Sequence, residues 1–333
     1  MKLRYIDLFC GIGGFHHAMT NAGKQLKLQT ECVFSSDIDP AARESYQLNF
    51  DLLPAGDITA IDAASIPAHD VLLAGFPCQA FSIIGDRKGF NDTRGTLFFD
   101  VARVLESKKP LGFVLENVKQ LTGHDKGRTI GRIFRVLTDL GYQIEYKVLN
   151  ALDFGLPQKR ERVFIIGWLD KLNFDWSFPS VKMAPLADVL EKEVGPNYFA
   201  SDTIRKSRLY SVKRHQLAEG RPTIWHENKS GNISAYEYSC ALRAGASYNY
   251  LLVNGNRRLT EREMLRLQGF PDTHIVTHSY SKMKRFAGNA LPIPIASAVI
   301  SRLLELNLRK ANGNTSRATP EAGSKDKSSL SSK

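Results

Sequence analysis

Short apolar runs alternate with helix-like segments through the first half of this 333-residue chain. The runs lie at residues 3–9, 30–35, 71–74, 112–115, 142–149 and 163–167. Such alternation is typical of strand–helix–strand units, in which the strands are parallel and helices cover the sheet. The sequence therefore predicts an α/β fold built on a mostly parallel sheet with helices on both faces.

The first run ends at a glycine turn, Cys10-Gly11-Ile12-Gly13-Gly14, directly before a predicted helix over residues 15–22. Backbone N–H groups at such a helix N-terminus can approach a ligand closely. The spacing differs from the dinucleotide pattern G-x-G-x-x-G, and the turn has no lysine to bind phosphates. A tight turn without any ligand explains this segment equally well.

Carboxylates follow the next strand ends. Asp37 and Asp39 come after the second run, and Asp57 follows the segment after it. Asp39 precedes Pro40 and is the expected N-cap of a helix over residues 40–49. Asp37 is then left to accept hydrogen bonds from ribose hydroxyls. Acids and a glycine turn at one sheet edge favour an adenosine-containing cofactor.

A thiol and a carboxyl group follow two further strand ends. Cys78 comes directly after Gly75-Phe76-Pro77, and Glu116 comes directly after the run 112–115. Cysteine attacks as the thiolate, and a carboxyl group after a buried strand can hold a proton near neutral pH. Cys78 alone could equally be a buried structural cysteine.

The alternation is lost in the segment 172–255, which is rich in basic and aromatic residues. The chain carries a net charge of +11, which suits a polyanionic partner such as nucleic acid. We expect a domain at 1–171, a smaller irregular domain at 172–255, and a return to the first domain at 256–310. Residues 311–333 have no apolar period and are expected to be disordered.

The returning segment predicts two helices. A capping box formed by Thr260 and Glu263 begins a helix over residues 259–267, and a second helix is expected over 294–308. The second helix should fold back on the first domain. Between them, Gly288-Asn289-Ala290 is interpreted as a tight turn.

Cysteine usage and hydropathy exclude other classes of protein. The four cysteines form no C-x-x-C pair, so a structural zinc site is not expected. No apolar run approaches the ~20 residues of a membrane span, and no signal segment precedes the first strand. We therefore expect a cytoplasmic protein with neither a metal nor a membrane partner.

Seven motifs in order resemble the cytosine-5 DNA methyltransferases of bacterial restriction-modification systems. They are Asp7-Leu8-Phe9-Cys10-Gly11-Ile12-Gly13-Gly14, Gly56-Asp57-Ile58, Gly75-Phe76-Pro77-Cys78-Gln79, Glu116-Asn117-Val118, Gln158-Lys159-Arg160-Glu161-Arg162, 258–271 and Gly288-Asn289-Ala290. The resemblance covers nearly all of residues 6–296 except most of 172–238. It implies a Rossmann-like methyltransferase sheet, S-adenosyl-L-methionine as methyl donor, duplex DNA as substrate, base flipping, and a target-recognition domain at 172–255.

The resemblance also implies roles for single residues. Cys78 would add to carbon 6 of cytosine, Glu116 would hold N3, and Arg160 and Arg162 would steady the ring carbonyl and the active-site loop. The residues implied to bind the cofactor are Phe9, Gly11, Gly13, Gly14, Asp37, Ile38, Asp57, Ile58, Pro77, Leu97, Asn289 and Ala290. We expect DNA contacts from Gln79, Ser82 and Arg94 near Cys78, and from Arg243, Tyr248 and Tyr250 in the second domain.

Two features depart from the family pattern. Ile38 stands where many members have an aromatic residue, and Asp37 stands where many have a different acid, which together predict a looser cofactor site. Ala241-Leu242-Arg243-Ala244 replaces the usual Thr-Leu pair of the recognition domain, which leaves the anchoring of that backbone open.

Three other functions compete with this interpretation. A tRNA cytosine-5 methyltransferase would share Cys78 and Glu116, although the sizeable basic segment favours duplex DNA. The second alternative is an inactive DNA-binding regulator, and the presence of the nucleophile, the acid and the cofactor loop argues against it. The third is a nicotinamide dehydrogenase, which the glycine spacing and the thiol at the next strand end disfavour. We expect a bacterial monomer, with a cognate restriction endonuclease as a functional rather than a physical partner.

Overall fold

The computed structural model describes residues 2–77, 97–170, 173–212 and 220–315. The strands of its first half are β1 (Lys2–Leu8), β2 (Gln29–Ser36), β3 (Val71–Ala74), β4 (Gly112–Val118), β5 (Gln143–Asn150), β6 (Gln158–Lys159) and β7 (Glu161–Trp168). Six of them form one sheet in the order β2-β1-β3-β4-β7-β5. All neighbours from β2 to β4 are parallel, whereas β7 is antiparallel to both β4 and β5. The predicted mostly parallel sheet is confirmed.

Helices cover both faces of this sheet, as predicted. They are α1 (Gly14–Leu26), α2 (Pro40–Phe50), α3 (Leu97–Lys108) and α4 (Arg128–Asp139). The short strand β3 shows the two-sided burial most clearly, because Val71 and Leu73 belong to the cluster around α1 while Leu72 belongs to the cluster around α3 and α4. A strand that is buried on both faces has apolar residues at every position, which explains the continuous apolar run at residues 71–74. The backbone N–H of Ala41 donates to the side chain of Asp39 at 3.0 Å, which confirms the predicted N-cap of α2.

The middle of the chain is irregular. It contains α5 (Asp202–Ser211), β8 (Ile224–Glu227), β9 (Ile233–Tyr236), β10 (Ser239–Cys240) and β11 (Leu251–Val253). An antiparallel sheet has the order β11-β8-β9, and β10 pairs in parallel with β6 of the first half. One buried cluster joins Ile224 to Leu259 and Ala287, which lie beyond the predicted boundary at residue 255. The domain boundaries stay predictions.

The chain then forms α6 (Glu261–Leu267), α7 (Tyr280–Asn289) and α8 (Ile293–Thr315). The capping box is confirmed: the N–H of Glu263 donates to Thr260 Oγ1 at 3.1 Å, and the N–H of Thr260 donates to Glu263 Oε2 at 2.8 Å. Helix α8 packs against α1 as expected, and Ser301 Oγ donates to Gln25 at 3.1 Å.

Helix α7 was not predicted, and the interpretation of Gly288-Asn289-Ala290 as a tight turn is wrong. Gly288 and Asn289 are the last residues of α7, and Ala290 is its C-cap. A Cβ atom on Gly288 would overlap the backbone of Ala244, so the glycine permits close packing of two backbones.

The expectation that no apolar segment could span a membrane also needs correction. Among the described residues, Tyr280–Leu306 is long and apolar enough for a span by length and composition alone, because it contains an 18-residue window with a mean hydropathy of 1.3. However, 67% of its most apolar window is buried inside the protein. Val299 and Leu303, for example, are fully buried in the cluster around α1. The protein core therefore accounts for the apolar character of this segment.

Candidate active site

A cavity of about 650 Å³ lies at the carboxyl ends of the four parallel strands β1 to β4. Every residue predicted to bind the cofactor lines it, with the exception of Gly13. Glu116 and Arg162 line the same cavity. Side chains that are far apart in the sequence are therefore brought to one edge of the sheet, where open α/β folds bind their ligands.

The glycine turn after β1 forms one wall of the cavity. Phe9 and Gly11 have positive φ angles of 57° and 53°, and the left-handed region is unusual for an aromatic residue. Gly13, which was also predicted to contact the cofactor, does not line the cavity. A Cβ atom on Gly13 would overlap the ring of Phe50, and the N–H of Gly13 donates to Cys10 O at 2.9 Å. Packing of α1 against α2 therefore explains this glycine.

Asp37 ties the end of β2 to the glycine turn. The N–H of Gly11 donates to Asp37 Oδ2 and the N–H of Asp39 donates to Asp37 Oδ1, both at 2.8 Å. Burial raises the pKa of Asp37, and these two hydrogen bonds oppose the rise. The carboxylate is thus held in place at the cavity wall, with lone pairs left to accept further hydrogen bonds.

Arg285 at the cavity rim was missed by the sequence analysis. It lies on α7, lines the cavity, and forms an ion pair with Asp39 at 2.5 Å. Ile38, which lies between Asp37 and Asp39 in the sequence, lines the cavity and is 71% exposed. No local sequence signal could reveal this ion pair, because Arg285 and Asp39 lie near opposite ends of the chain.

Glu116 occupies the buried end of β4 and is only 8% exposed. Arg162 Nε donates to Glu116 Oε1 at 2.8 Å. Burial raises the pKa of Glu116, and the neighbouring Arg162 opposes that rise. The antiparallel register explains the contact, because the beginning of β7 pairs with the end of β4 and places Arg162 opposite Val118.

Asn117 fixes the turn that precedes Cys78. Its Nδ2 donates to Phe76 O at 2.8 Å, and a Cβ atom on Gly75 would lie 3.5 Å from Glu116 Oε2. The segment Gly75-Phe76-Pro77 is therefore held beside the carboxyl group of Glu116. Sequence reasoning had noted Asn117 only as part of a motif. The predictions for Cys78, Gln79, Ser82 and Arg94 concern residues that lie outside the described ranges.

The predicted placement of Arg160 beside the substrate ring is corrected by the structure. Arg160 is 0% exposed and does not line the cavity. Its guanidinium group donates to three backbone carbonyls, those of Leu242 at 2.9 Å, Gly288 at 2.9 Å and Ala290 at 2.6 Å. It lies between β6 and β7. Arg160 joins the second domain to the end of α7.

The three second-domain residues expected to contact DNA divide into two kinds. Arg243 and Tyr248 are exposed. Tyr250 is only 6% exposed, and its hydroxyl accepts the N–H of Arg243 at 2.8 Å. Burial raises the pKa of Tyr250 to about 12. The prediction of a direct DNA contact by Tyr250 is corrected, because its ring supports Arg243 from beneath.

Comparisons with known proteins agree with this arrangement. The family model described as C-5 cytosine-specific DNA methylase matches residues 3–305. Type II methyltransferase M.NgoBI of Neisseria gonorrhoeae is 52% identical, with 88% of this chain and 90% of that protein covered. M.HaeII of Haemophilus aegyptius is 51% identical, with 91% and 93% covered.

The fold is also that of solved methyltransferases. The structure of S. pombe Dnmt2 methyltransferase matches with a TM-score of 0.69 over 92% of this chain and 99% of that one. At 24% identity this likeness supports the fold alone. Taken with the family match over residues 3–305, these findings show that the chain belongs to the C-5 cytosine-specific DNA methylase family and is a DNA cytosine-5 methyltransferase.

Proposed function

We propose that this protein methylates carbon 5 of one cytosine within a specific short duplex sequence, as the modification enzyme of a restriction-modification system. The observation that carries the proposal is the shared cavity. It combines the buried Glu116–Arg162 pair and the turn before Cys78 with a wall suited to an adenosine-containing methyl donor. The names of M.NgoBI and M.HaeII, both Type II methyltransferases, support the restriction-modification role.

The residues present fit S-adenosylmethionine as the methyl donor. The cavity of about 650 Å³ is in the size range of small-molecule sites. Asp37 would accept hydrogen bonds from the ribose hydroxyls, and Phe9 and Ile38 would flank the adenine. Asp57 and Ile58 would meet the adenine edge, and Gly11 and Asn289 the methionine end. When bound, the cofactor supplies an electrophilic sulfonium methyl group.

The protein's own residues would activate the cytosine. The thiolate of Cys78 adds to carbon 6, which makes carbon 5 nucleophilic enough to accept a methyl group. Glu116 protonates or hydrogen-bonds N3 and so limits the negative charge that this addition places on the ring. Arg162 orients the Glu116 carboxyl group. Loss of the carbon 5 proton and expulsion of the thiolate then release Cys78 and the methylated base.

The cytosine has to leave the duplex before it can reach Glu116, because this carboxyl group lies at a buried strand end. Base flipping costs a few kcal/mol, which contacts with the protein must offset. Monomeric action in the cytoplasm and a functional pairing with an endonuclease stay predictions.

Covalent trapping tests the proposed function. Duplex DNA containing 5-fluorocytosine cannot lose its carbon 5 substituent, so we expect an adduct that survives denaturation and forms only with S-adenosylmethionine present. Sequencing of the trapped DNA would give the target sequence. The Cys78→Ser variant should form no adduct. Absence of an adduct from folded wild-type protein that binds S-adenosylhomocysteine would contradict the proposal.

Asp37→Asn is expected to weaken cofactor binding by about tenfold, equivalent to about 1.4 kcal/mol, the size of one or two hydrogen bonds. The Gly11 and Asp39 N–H groups donate to different oxygens of Asp37, so in the amide one of them faces the NH2 group and loses its acceptor. Calorimetric titration with S-adenosylhomocysteine measures the effect. Asp51→Asn, at an exposed acid after the end of α2, is the matched control. Equal affinity of the Asp37 variant and wild type would remove Asp37 from the binding site.

A further inference from the structure

The segment Leu242–Ala246 is fastened to the rest of the protein through backbone atoms. The N–H of Leu242 donates to Gln158 Oε1 at 3.0 Å, and Leu242 O accepts from Arg160 at 2.9 Å. We call residues 242–246 the recognition turn. Because these anchors bind backbone atoms, the replacement of the family's Thr-Leu pair does not leave this turn loose.

Lys284 on α7 holds the other end of the recognition turn. Its Nζ donates to Ala246 O at 2.6 Å and lies 3.3 Å from Ala244 O and 3.5 Å from Arg243 O. It also lies 5.6 Å and 5.7 Å from the ring centres of Tyr248 and Tyr250. Lys284 is only 6% exposed, and burial lowers the pKa of its ammonium group. Its three donors are therefore directed at the turn and are unavailable to DNA phosphates.

Helix α7 also limits where the recognition turn can move. A Cβ atom on Gly288 would overlap the backbone of Ala244, so the turn rests directly on the last turn of α7. The residues that follow, Asn289 and Ala290, line the cavity. One helix end thus supports both the recognition turn and the candidate active site.

The turn presents one basic side chain to the outside. Arg243 is exposed, and its guanidinium carbon lies 4.8 Å from the ring centre of Tyr250. Within the described ranges, no acidic side chain forms an ion pair with Arg243. Stacking on an aromatic ring orients a guanidinium group while leaving its N–H donors accessible. Such a fork can read the O6 and N7 edge of guanine in the major groove.

We propose that Lys284 is a positioning residue for sequence recognition. It holds the recognition turn in the shape that presents Arg243 to a base edge of the target duplex. This assignment rests on the proposed function and adds to it by giving different roles to two basic residues, Arg243 and Lys284. Arg243 contacts DNA, whereas Lys284 acts through the turn.

Binding measurements on the wild-type protein and four variants test this assignment, after the wild-type target has been found by sequencing methylated DNA. Lys284→Met, Arg243→Gln and their double variant are compared with Lys282→Met, which removes an exposed charge from the same helix. Affinities for the target duplex and for single-base variants are measured over a range of salt concentrations. We expect Lys284→Met and Arg243→Gln each to reduce discrimination about tenfold, the effect of losing one base contact.

Two features distinguish positioning from phosphate binding or from simple support of the fold. A lysine that binds phosphate would weaken all duplexes equally and change the slope of log affinity against log salt by about 1. We expect an unchanged slope for Lys284→Met and no additional loss in the double variant, because both changes act on one contact.

Preserved discrimination in Lys284→Met, with or without a lower Tm, would overturn the proposal. Unchanged discrimination in Arg243→Gln would overturn it even if Lys284→Met failed to fold. Failure of wild-type protein to methylate any duplex would instead contradict the proposed function.

Discussion

Replacing Glu116 with glutamine is expected to slow methyl transfer by about 10²- to 10⁴-fold, the usual contribution of a positioned acid or base. The amide oxygen can still accept the hydrogen bond from Arg162 Nε, so the local structure should persist. It cannot transfer a proton to N3 of cytosine, however, and the charge formed by thiolate addition is then less stabilised. Single-turnover transfer of a labelled methyl group to duplex DNA measures the loss.

The same residue predicts a pH dependence. Burial raises the pKa of Glu116, so the protonated fraction, and with it the transfer rate, should fall as pH rises through this raised value. Folding stability should also fall as pH rises. The folded protein holds the Glu116 proton more tightly than the unfolded chain does. The contribution of Glu116 to the free energy of unfolding is therefore complete below the ordinary carboxyl pKa and is lost as pH rises through the raised pKa of the folded protein.

A neighbouring glutamate provides the control for both effects. Glu161 begins β7 and forms an exposed ion pair with Lys119 at 2.9 Å. Glu161→Gln should change the rate and its pH profile little, because exposed pairs contribute about 0–1 kcal/mol. Equal rates for Glu116→Gln and wild type, or an equal loss in Glu161→Gln, would show that Glu116 is not the acid.

Those parts of the fold that depend on short-range signals could be predicted from the sequence. The strand runs, the Asp39 cap and the Thr260–Glu263 capping box all follow from residues a few positions apart. The sheet edge that gathers Asp37, Asp57 and Glu116 follows from the same pattern, because parallel strands place their carboxyl ends together.

Contacts between distant segments could not be predicted in this way. The pairing of Arg162 with Glu116 depends on β7 inserting antiparallel between β4 and β5, which no local pattern specifies. Gly288 was interpreted as part of a tight turn. The Ala244 backbone, whose close approach requires a glycine at this point of α7, lies far away in the sequence and gives no local signal. The Arg285–Asp39 pair was missed for the same reason.

The two arginines of one motif show how burial decides between chemistry and support. Arg160 and Arg162 are two positions apart and were given one shared role. Arg162 lines the cavity and meets Glu116, whereas Arg160 is enclosed and donates to backbone carbonyls on both sides. The resemblance identified both residues as important, but only the placement of their donors separates their functions.

Arg160→Met is accordingly expected to reduce the free energy of unfolding by about 3 kcal/mol, because buried carbonyls lose charged donors. The carbonyls of Leu242, Gly288 and Ala290 would then lack the hydrogen bonds that join the recognition turn to α7. Urea denaturation measures the change through a lower midpoint at an unchanged slope.

Lys159→Met is the matched control, since it removes an exposed cation from the adjacent position and should change stability by no more than about 0.5 kcal/mol. Arg160→Lys should fall between the two, because one ammonium group cannot reproduce the planar fork that reaches three carbonyls. Normal stability combined with a large loss of transfer rate in Arg160→Met would restore the catalytic role that the sequence suggested. A stability loss with residual activity in the folded fraction would instead establish Arg160 as the residue that joins the recognition turn to the end of α7.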